Sequence, residues 1–171
     1  KELRKLRGAD ISMIFQDPMT SLNPTMTIGK QIAESLIIHR GMKKKEAFDE
    51  AMKMLKLVNI PNADKRSNQY PHEFSGGMRQ RAMIARTLAQ ETDIVILDEP
   101  SAFLDLPGKY EIVRILNDLA TNTGKTIIFS THDLNIAMHR ADKIWLMLPH
   151  EIVSGAPEDL ILTDRFADIF K

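Results

Sequence analysis

Residues 94–98, Ile-Val-Ile-Leu-Asp, run through four consecutive apolar, mostly β-branched side chains and stop at a carboxylate. Such an unbroken run is expected of a parallel strand covered on both faces. The rest of the chain supports a parallel arrangement. A helix is predicted from about Pro107 to Asn122, with Pro107 well placed for a first turn. Then come a strand at Thr126–Thr131, a short helix near Leu134–Arg140 and a third strand at Lys143–Leu148. Strand, helix, strand, helix, strand at this spacing implies right-handed crossovers and a parallel α/β sheet. In such sheets ligands sit beyond the carboxyl ends of the strands, so polar residues directly after strands are the ones to inspect.

The first half of the chain reads differently. Residues 9–15, "ADISMIF", form a short buried strand that delivers Gln16 to the polar turn "QDPMTSLNPT", where Pro18 and Pro24 rule out a continuing helix. From Thr27 to Leu88 the periodicity is helical. Ile28, Ile32, Leu36 and Ile37 mark one apolar face, Ala47, Ala51, Met54, Leu55 and Val58 another, and Gly41 separates them. Lys43, Lys44 and Lys45 open the second helix as a solvated face. Residues 61–73 read as a loop that leads into "FSGGMRQR" at 74–81.

That stretch and two strand ends carry the chemistry. Ser75, Gly76 and Gly77 precede the helix-like run 82–88, and glycines at a helix start let backbone N–H groups and the positive end of the dipole meet a phosphate. Asp98-Glu99-Pro100 ends the central strand. One of these carboxylates can serve a Mg²⁺ ion while its neighbour acts as base for an attacking water. Ser130-Thr131-His132-Asp133 ends the next strand, which places His132 on the same sheet edge as Glu99, with Thr131 or Asp133 able to cap the following helix. His39, His72, His139 and His150 are read as structural or solvated. "TGKT" at 123–126 imitates the end of a phosphate loop, but the earlier glycine would fall at Leu119. Its context also runs from helix to strand rather than strand to helix, so Gly124 is read as a helix C-cap. No G-x-x-x-x-G-K-[ST] occurs in the chain.

Composition sets outer bounds. The 171 residues are 43% hydrophobic and 27% charged, ordinary globular material for one domain or a domain with a subdomain. Twenty-three basic and 23 acidic residues cancel, so no whole-chain field advertises nucleic acid or an anionic membrane. The absence of cysteine excludes disulfides and thiolate metal sites within this segment. No apolar run approaches the ~20 residues of a membrane span, and "KELRKLRG" lacks the apolar stretch of a signal peptide. A start at Lys1 rather than Met points to a piece of something longer.

Together these residues resemble the nucleotide-binding subunit of an ATP-binding cassette (ABC) transporter. Gln16 in "FQDP" looks like the family's Q-loop glutamine, "SGGMRQ" (75–80) its signature, "IVILDE" (94–99) its Walker B motif, "SAFLD" (101–105) its D-loop and His132 its switch histidine. The resemblance implies an α/β fold, a partial P-loop NTPase core with a parallel sheet plus a helical subdomain. Residues 1–16 and 91–171 would form the partial RecA-like core and residues 17–90 the helical subdomain, which docks on the membrane partner. The implied substrate is ATP and the implied metal Mg²⁺. In the family two subunits pair head to tail, and the signature of one contacts the γ-phosphate of ATP held by the other. Carried over, Ser75, Gly76, Gly77 and Gln80 would face that nucleotide, Asp98 would hold Mg²⁺ through water and Glu99 would polarise the attacking water. Gln16 would contact Mg²⁺ and sense the γ-phosphate, His132 would contact that phosphate, and Asp105 would communicate across the dimer.

The implied partners are a second ATPase subunit, identical or not, transmembrane permease subunits and, indirectly, an extracytoplasmic solute-binding protein. The implied location is the cytoplasmic face of the cell membrane. Residues 1–90 resemble dipeptide and oligopeptide importers, whereas residues 91–171 look more like importers of iron complexes such as siderophores or haem. Cassette ATPases of DNA repair would place long coiled coils between Gln16 and Ser75, and a separation of 59 positions leaves no room for them, so no nucleic-acid partner is expected. A soluble cassette ATPase outside transport and a catalytically inactive interaction module are the alternatives. Without a phosphate loop, this polypeptide alone is expected neither to bind ATP tightly nor to hydrolyse it, and to expose apolar surface.

Overall fold

The computed structural model describes residues 10–15, 21–102 and 104–163, which divide into two compact units between Ser130 and Thr131. In the first unit β1 (Ile11–Ile14), β2 (Ile94–Leu97) and β3 (Thr126–Phe129) form one sheet in that order, and both pairings are parallel. Parallel neighbours require long return paths. The path from β1 to β2 holds α1 (Ile28–Arg40), α2 (Lys44–Leu57), the single turn α3 (Ala63–Arg66), a 3-10 turn at Pro71–Glu73 and α4 (Gly76–Leu88). The path from β2 to β3 is α5 (Leu106–Thr123).

Alternation along each strand decides the core. Ile14, Val95 and Leu97 lie on one face, at most 3% exposed, and join Ile28, Ile32 and Leu36 of α1, Leu55 of α2, Ile84 of α4 and Leu116 of α5 in a continuous cluster. Each such side chain contributes about 1.5–3 kcal/mol of burial. The opposite face differs from the expectation of a strand dry on both sides. Ile94 and Ile96 are half-buried, while Ile11 and Met13 beside them are 36% and 50% exposed. The cause is that the helices of this core pack on the Val95 and Leu97 side.

Local chemistry sets the helix ends. Thr27 precedes α1 without a side-chain cap; instead the N–H groups of Ile28 and Gly29 donate to the carbonyls of Gln69 and Ser67 at 2.9 and 2.8 Å. That approach requires glycine, since a Cβ on Gly29 would stand 2.8 Å from the Ser67 carbonyl oxygen and 2.9 Å from Phe48. At the other end of α5, Gly124 takes φ +66° and its N–H donates to the Ala120 carbonyl, so "TGKT" is a helix stop as expected. Residues 61–73, read as loop, hold α3 and the 3-10 turn, both too short to show apolar periodicity.

The second unit corrects one expectation. The alternation of strands and helices in the sequence puts the strand at 143–148 in the parallel sheet. Instead β4 (Ile144–Met147) pairs antiparallel with β5 (Ile152–Gly155) in a sheet of two, Trp145 opposite Ser154. The reason is local: the Leu148 N–H donates to the Glu151 carbonyl at 2.9 Å, closing a tight turn that returns the chain beside itself. Helix α6 (Leu134–Arg140) precedes this hairpin and α7 (Pro157–Leu162) comes after it. Among the described residues of this unit, Ile136, Ile144, Leu146, Pro157 and Leu160 are buried.

Candidate functional site

The carboxyl end of β2 is built around a serine. One step beyond the strands, the ladder continues: Asp98 N–H donates to the Ile14 carbonyl at 2.9 Å and Ser130 N–H to the Leu97 carbonyl at 3.0 Å. The register that sets Leu97 opposite Phe129 therefore sets Asp98 opposite Ser130. Ser130 Oγ lies 2.7 Å from Asp98 Oδ1 and accepts the Glu99 N–H at 2.8 Å. A hydroxyl has one proton, and with the amide occupying a lone pair that proton goes to the carboxylate. Glu99 itself has φ +43°, left-handed for a residue with a side chain, a conformation that costs about 1–3 kcal/mol and clusters at functional sites. Its carbonyl accepts the Ala102 N–H at 2.9 Å, which closes the turn after the strand. The side chain of Glu99 is half-buried there.

The glycine-rich stretch forms a capped helix start. Ser75 is the N-cap of α4 and its Oγ accepts the Met78 N–H at 3.4 Å. Ser75 and Gly76 are exposed and Gly77 half-buried, and at a helix start the Gly76 and Gly77 N–H groups lack intrahelical acceptors. The start of α5 lies close by. A Cβ on Gly77 would stand 3.7 Å from Leu104, and Asp105, the next residue, caps α5 by accepting the Gly108 N–H at 3.2 Å. Arg81 ties the two helices, donating to the Gly77 carbonyl, the Asn59 carbonyl and the Glu111 carboxylate at 3.3, 2.9 and 2.8 Å. The structure thus brings Ser75, Gly76, Gly77 and the approach to Asp105 together.

It does not bring Gln80 to that surface. Gln80 is 4% exposed because α4 enters the core there and Ala82, Met83, Ile84 and Ala85 are buried in succession. Gln16 lies outside the described residues. His132 belongs to the second unit and is exposed, between Thr131, whose Oγ1 accepts the Asp133 N–H at 3.1 Å, and Asp133, which caps α6 through the Ile136 N–H. Of the other histidines, His72 stacks on Tyr70, His139 contacts its own helix at the Asn135 carbonyl, and His39 and His150 are exposed. The residue that motif reading missed is Ser130. Its signal is the pairing register, which a motif does not contain.

Asp98 fits a Mg²⁺ ion shared with phosphate oxygens. Among the described residues no group of three or more His, Asp or Glu forms a cage for a metal by itself, and Mg²⁺ ordinarily takes one or two carboxylates plus phosphates and water. Also among the described residues, no helix is long and apolar enough to cross a membrane.

Comparison with known proteins covers most of the chain. The family model described as ABC transporter matches residues 1–102. The dipeptide transport ATP-binding protein DppD of Bacillus subtilis is 50% identical over 147 residues, 86% of this chain and 44% of that protein. The oligopeptide transport ATP-binding protein OppD of the same organism is 47% identical over 164 residues, 96% of this chain and 46% of its own length. The chain therefore spans a little under half the length of these relatives, and the likeness to peptide transport proteins is not confined to its first 90 residues. Among solved structures, the dimeric post-hydrolysis state of the ATP-binding cassette MJ0796 bound to ADP and Pi superposes with a TM-score of 0.79 at 31% identity, over 91% of this chain and 66% of that one.

Proposed function

Because this chain belongs to the ABC transporter family, we propose that it is part of the ATP-binding subunit of a peptide importer and couples ATP hydrolysis to solute uptake. The observation that carries the reading is the Asp98–Glu99 pair at the carboxyl end of a parallel strand, clamped by Ser130. Peptide is favoured as cargo because both peptide transport relatives match over lengths that extend into the second half of the chain.

In this reading each residue has a task. Glu99 polarises the attacking water as a general base. Asp98 would hold Mg²⁺ through water, and the ion would supply neutralisation of phosphate charge. Ser75 and the Gly76 and Gly77 N–H groups, aided by the α4 dipole, face the γ-phosphate of ATP held by a second subunit. Gln16 would contact the Mg²⁺ held at Asp98 and sense the γ-phosphate beside it, His132 would contact that same phosphate, and Asp105, at the start of α5, communicates across the dimer. Gln80 is a packing residue of α4 rather than a nucleotide contact. Residues 17–90 act as the helical subdomain that docks on the permease at the cytoplasmic face of the membrane, and 1–16 with 91–171 as a partial RecA-like core. A solute-binding protein delivers the cargo from the other side. That the 171 residues contain no phosphate loop supports the reading that this segment alone neither binds ATP well nor hydrolyses it.

In the complete ATP-binding protein assembled with its permease, Glu99→Gln is expected to lower ATP turnover by about 10²- to 10⁴-fold while nucleotide still binds. Undiminished turnover in that variant defeats the catalytic assignment. Stimulation of the assembled transporter by a peptide-loaded binding protein supports peptide as cargo; stimulation by an iron-chelate receptor and not by the peptide one overturns it.

A further inference from the structure

We infer that Ser130 is a positioning residue for the Asp98–Glu99 pair: a single hydroxyl fixes the carboxylate of the one and the backbone of the other. The inference rests on the hydrolytic role proposed for those two residues and deepens it.

The geometry leaves little freedom. Ser130 is held by its own backbone, N–H to the Leu97 carbonyl at 3.0 Å, as the last rung beyond β3. From that mount its Oγ reaches Asp98 Oδ1 at 2.7 Å and the Glu99 N–H at 2.8 Å. The first contact is a charge-assisted bond that fixes the rotation of the carboxylate, and it leaves Asp98 lone pairs for a cation or its water. The second satisfies the amide of the one residue of this turn with a left-handed φ, +43°. Asp98 is also held through its N–H to the Ile14 carbonyl at 2.9 Å, so the pair is gripped from both neighbouring strands. Removing the hydroxyl frees the carboxylate to turn and leaves the Glu99 N–H without that acceptor. The strand ladder, which is backbone to backbone, stays intact. Ser130 is exposed, so its substitution does not open a cavity.

The test compares Ser130→Ala, Ser130→Thr and Glu99→Gln in the complete protein with its partner subunits. Ser130→Ala is expected to lower kcat about tenfold and to raise the Mg²⁺ concentration for half-maximal turnover several-fold, with KM for ATP changed less than twofold. Ser130→Thr, which keeps the hydroxyl, restores both. Independently of activity, amide hydrogen exchange of unmodified protein is expected to show Glu99 N–H protected, and Ser130→Ala to abolish that protection selectively. If Glu99→Gln stops turnover while Ser130→Ala matches wild type in kcat and Mg²⁺ midpoint, the positioning role is wrong and the catalytic reading stands. If Glu99→Gln leaves turnover intact, the catalytic reading itself falls. An unprotected Glu99 amide in unmodified protein overturns the inference without any variant, and so does a Ser130→Thr protein as impaired as Ser130→Ala.

Discussion

The guanidinium of Arg81 and the carboxylate of Glu111 stand 2.8 Å apart and join α4 to α5 across thirty positions of chain. The two side chains differ in exposure, 15% for Arg81 and 37% for Glu111, so water screens the acid more than the base. Arg81→Ala is expected to cost about 1–3 kcal/mol because it also gives up the bonds to the Asn59 and Gly77 carbonyls. Glu111→Ala should cost less, and the coupling in a double-mutant cycle should be about 0.5–1 kcal/mol. Urea midpoints of the four proteins measure this; a coupling of zero would show the pair to be spatial coincidence.

Gly29→Ala should destabilise by about 1–3 kcal/mol although alanine favours helix over glycine by roughly 1 kcal/mol. The added methyl meets the Ser67 carbonyl and the Phe48 ring, and the carbonyl belongs to backbone that caps α1. Thermal unfolding decides it. A stabilised Gly29→Ala protein would mean that segment 67–69 is free to withdraw.

Ser75 separates folding from function. Ser75→Ala loses the Met78 cap and about 0.5–2 kcal/mol, whereas aspartate caps as well as serine does. Ser75→Asp should therefore keep wild-type stability yet suppress ATP turnover of the assembled transporter by placing a negative charge where the partner's phosphate would sit. Full turnover in a stable Ser75→Asp protein would contradict the role proposed for this helix start.

Thr27 offers a substitution in the opposite direction. Among the described residues its Oγ1 is buried without a hydrogen-bond partner, and the residue is 8% exposed. Replacing the unsatisfied hydroxyl by a methyl in Thr27→Val should be neutral or stabilising by up to about 1 kcal/mol. Calorimetry on the two proteins gives the sign, and a loss above that figure would reveal a bond to the hydroxyl.

Legibility in the sequence belongs to residues that act through their own backbone or through a regular period. The run Ile94–Leu97, the apolar face of Ile28, Ile32 and Leu36, and the stops at Gly41 and Gly124 all lie where periodicity and left-handed conformation require them. The serine at the head of "SGGMRQ" is a cap, as a helix start demands. Less was legible where the outcome depends on a partner. Nothing in Ile144–Met147 distinguishes a strand that joins β3 from one that folds back on Ile152–Gly155; the turn at 148–151 decides. Gln80 belongs to the signature by pattern but to the core by helix phase. Ser130 comes after a strand like many serines, and its meaning arises only from the rung it shares with Asp98.

The pairing of β1 with β2 also orders events in a growing chain. Ser12 and Thr92, whose hydroxyls meet at 2.6 Å, are 80 residues apart, so at about 5–20 residues per second β1 waits roughly 4–16 s before its partner has been synthesised. Helix turns form in about a microsecond or less, and a hairpin such as β4–β5, which sets Met147 opposite Ile152, closes in about 1–10 μs. During vectorial synthesis the helices between the two strands therefore assemble first, and the sheet that carries Asp98 is the last part of the first unit to close. Throughout that interval the apolar segment Ile11–Ile14 waits without its β2 partner.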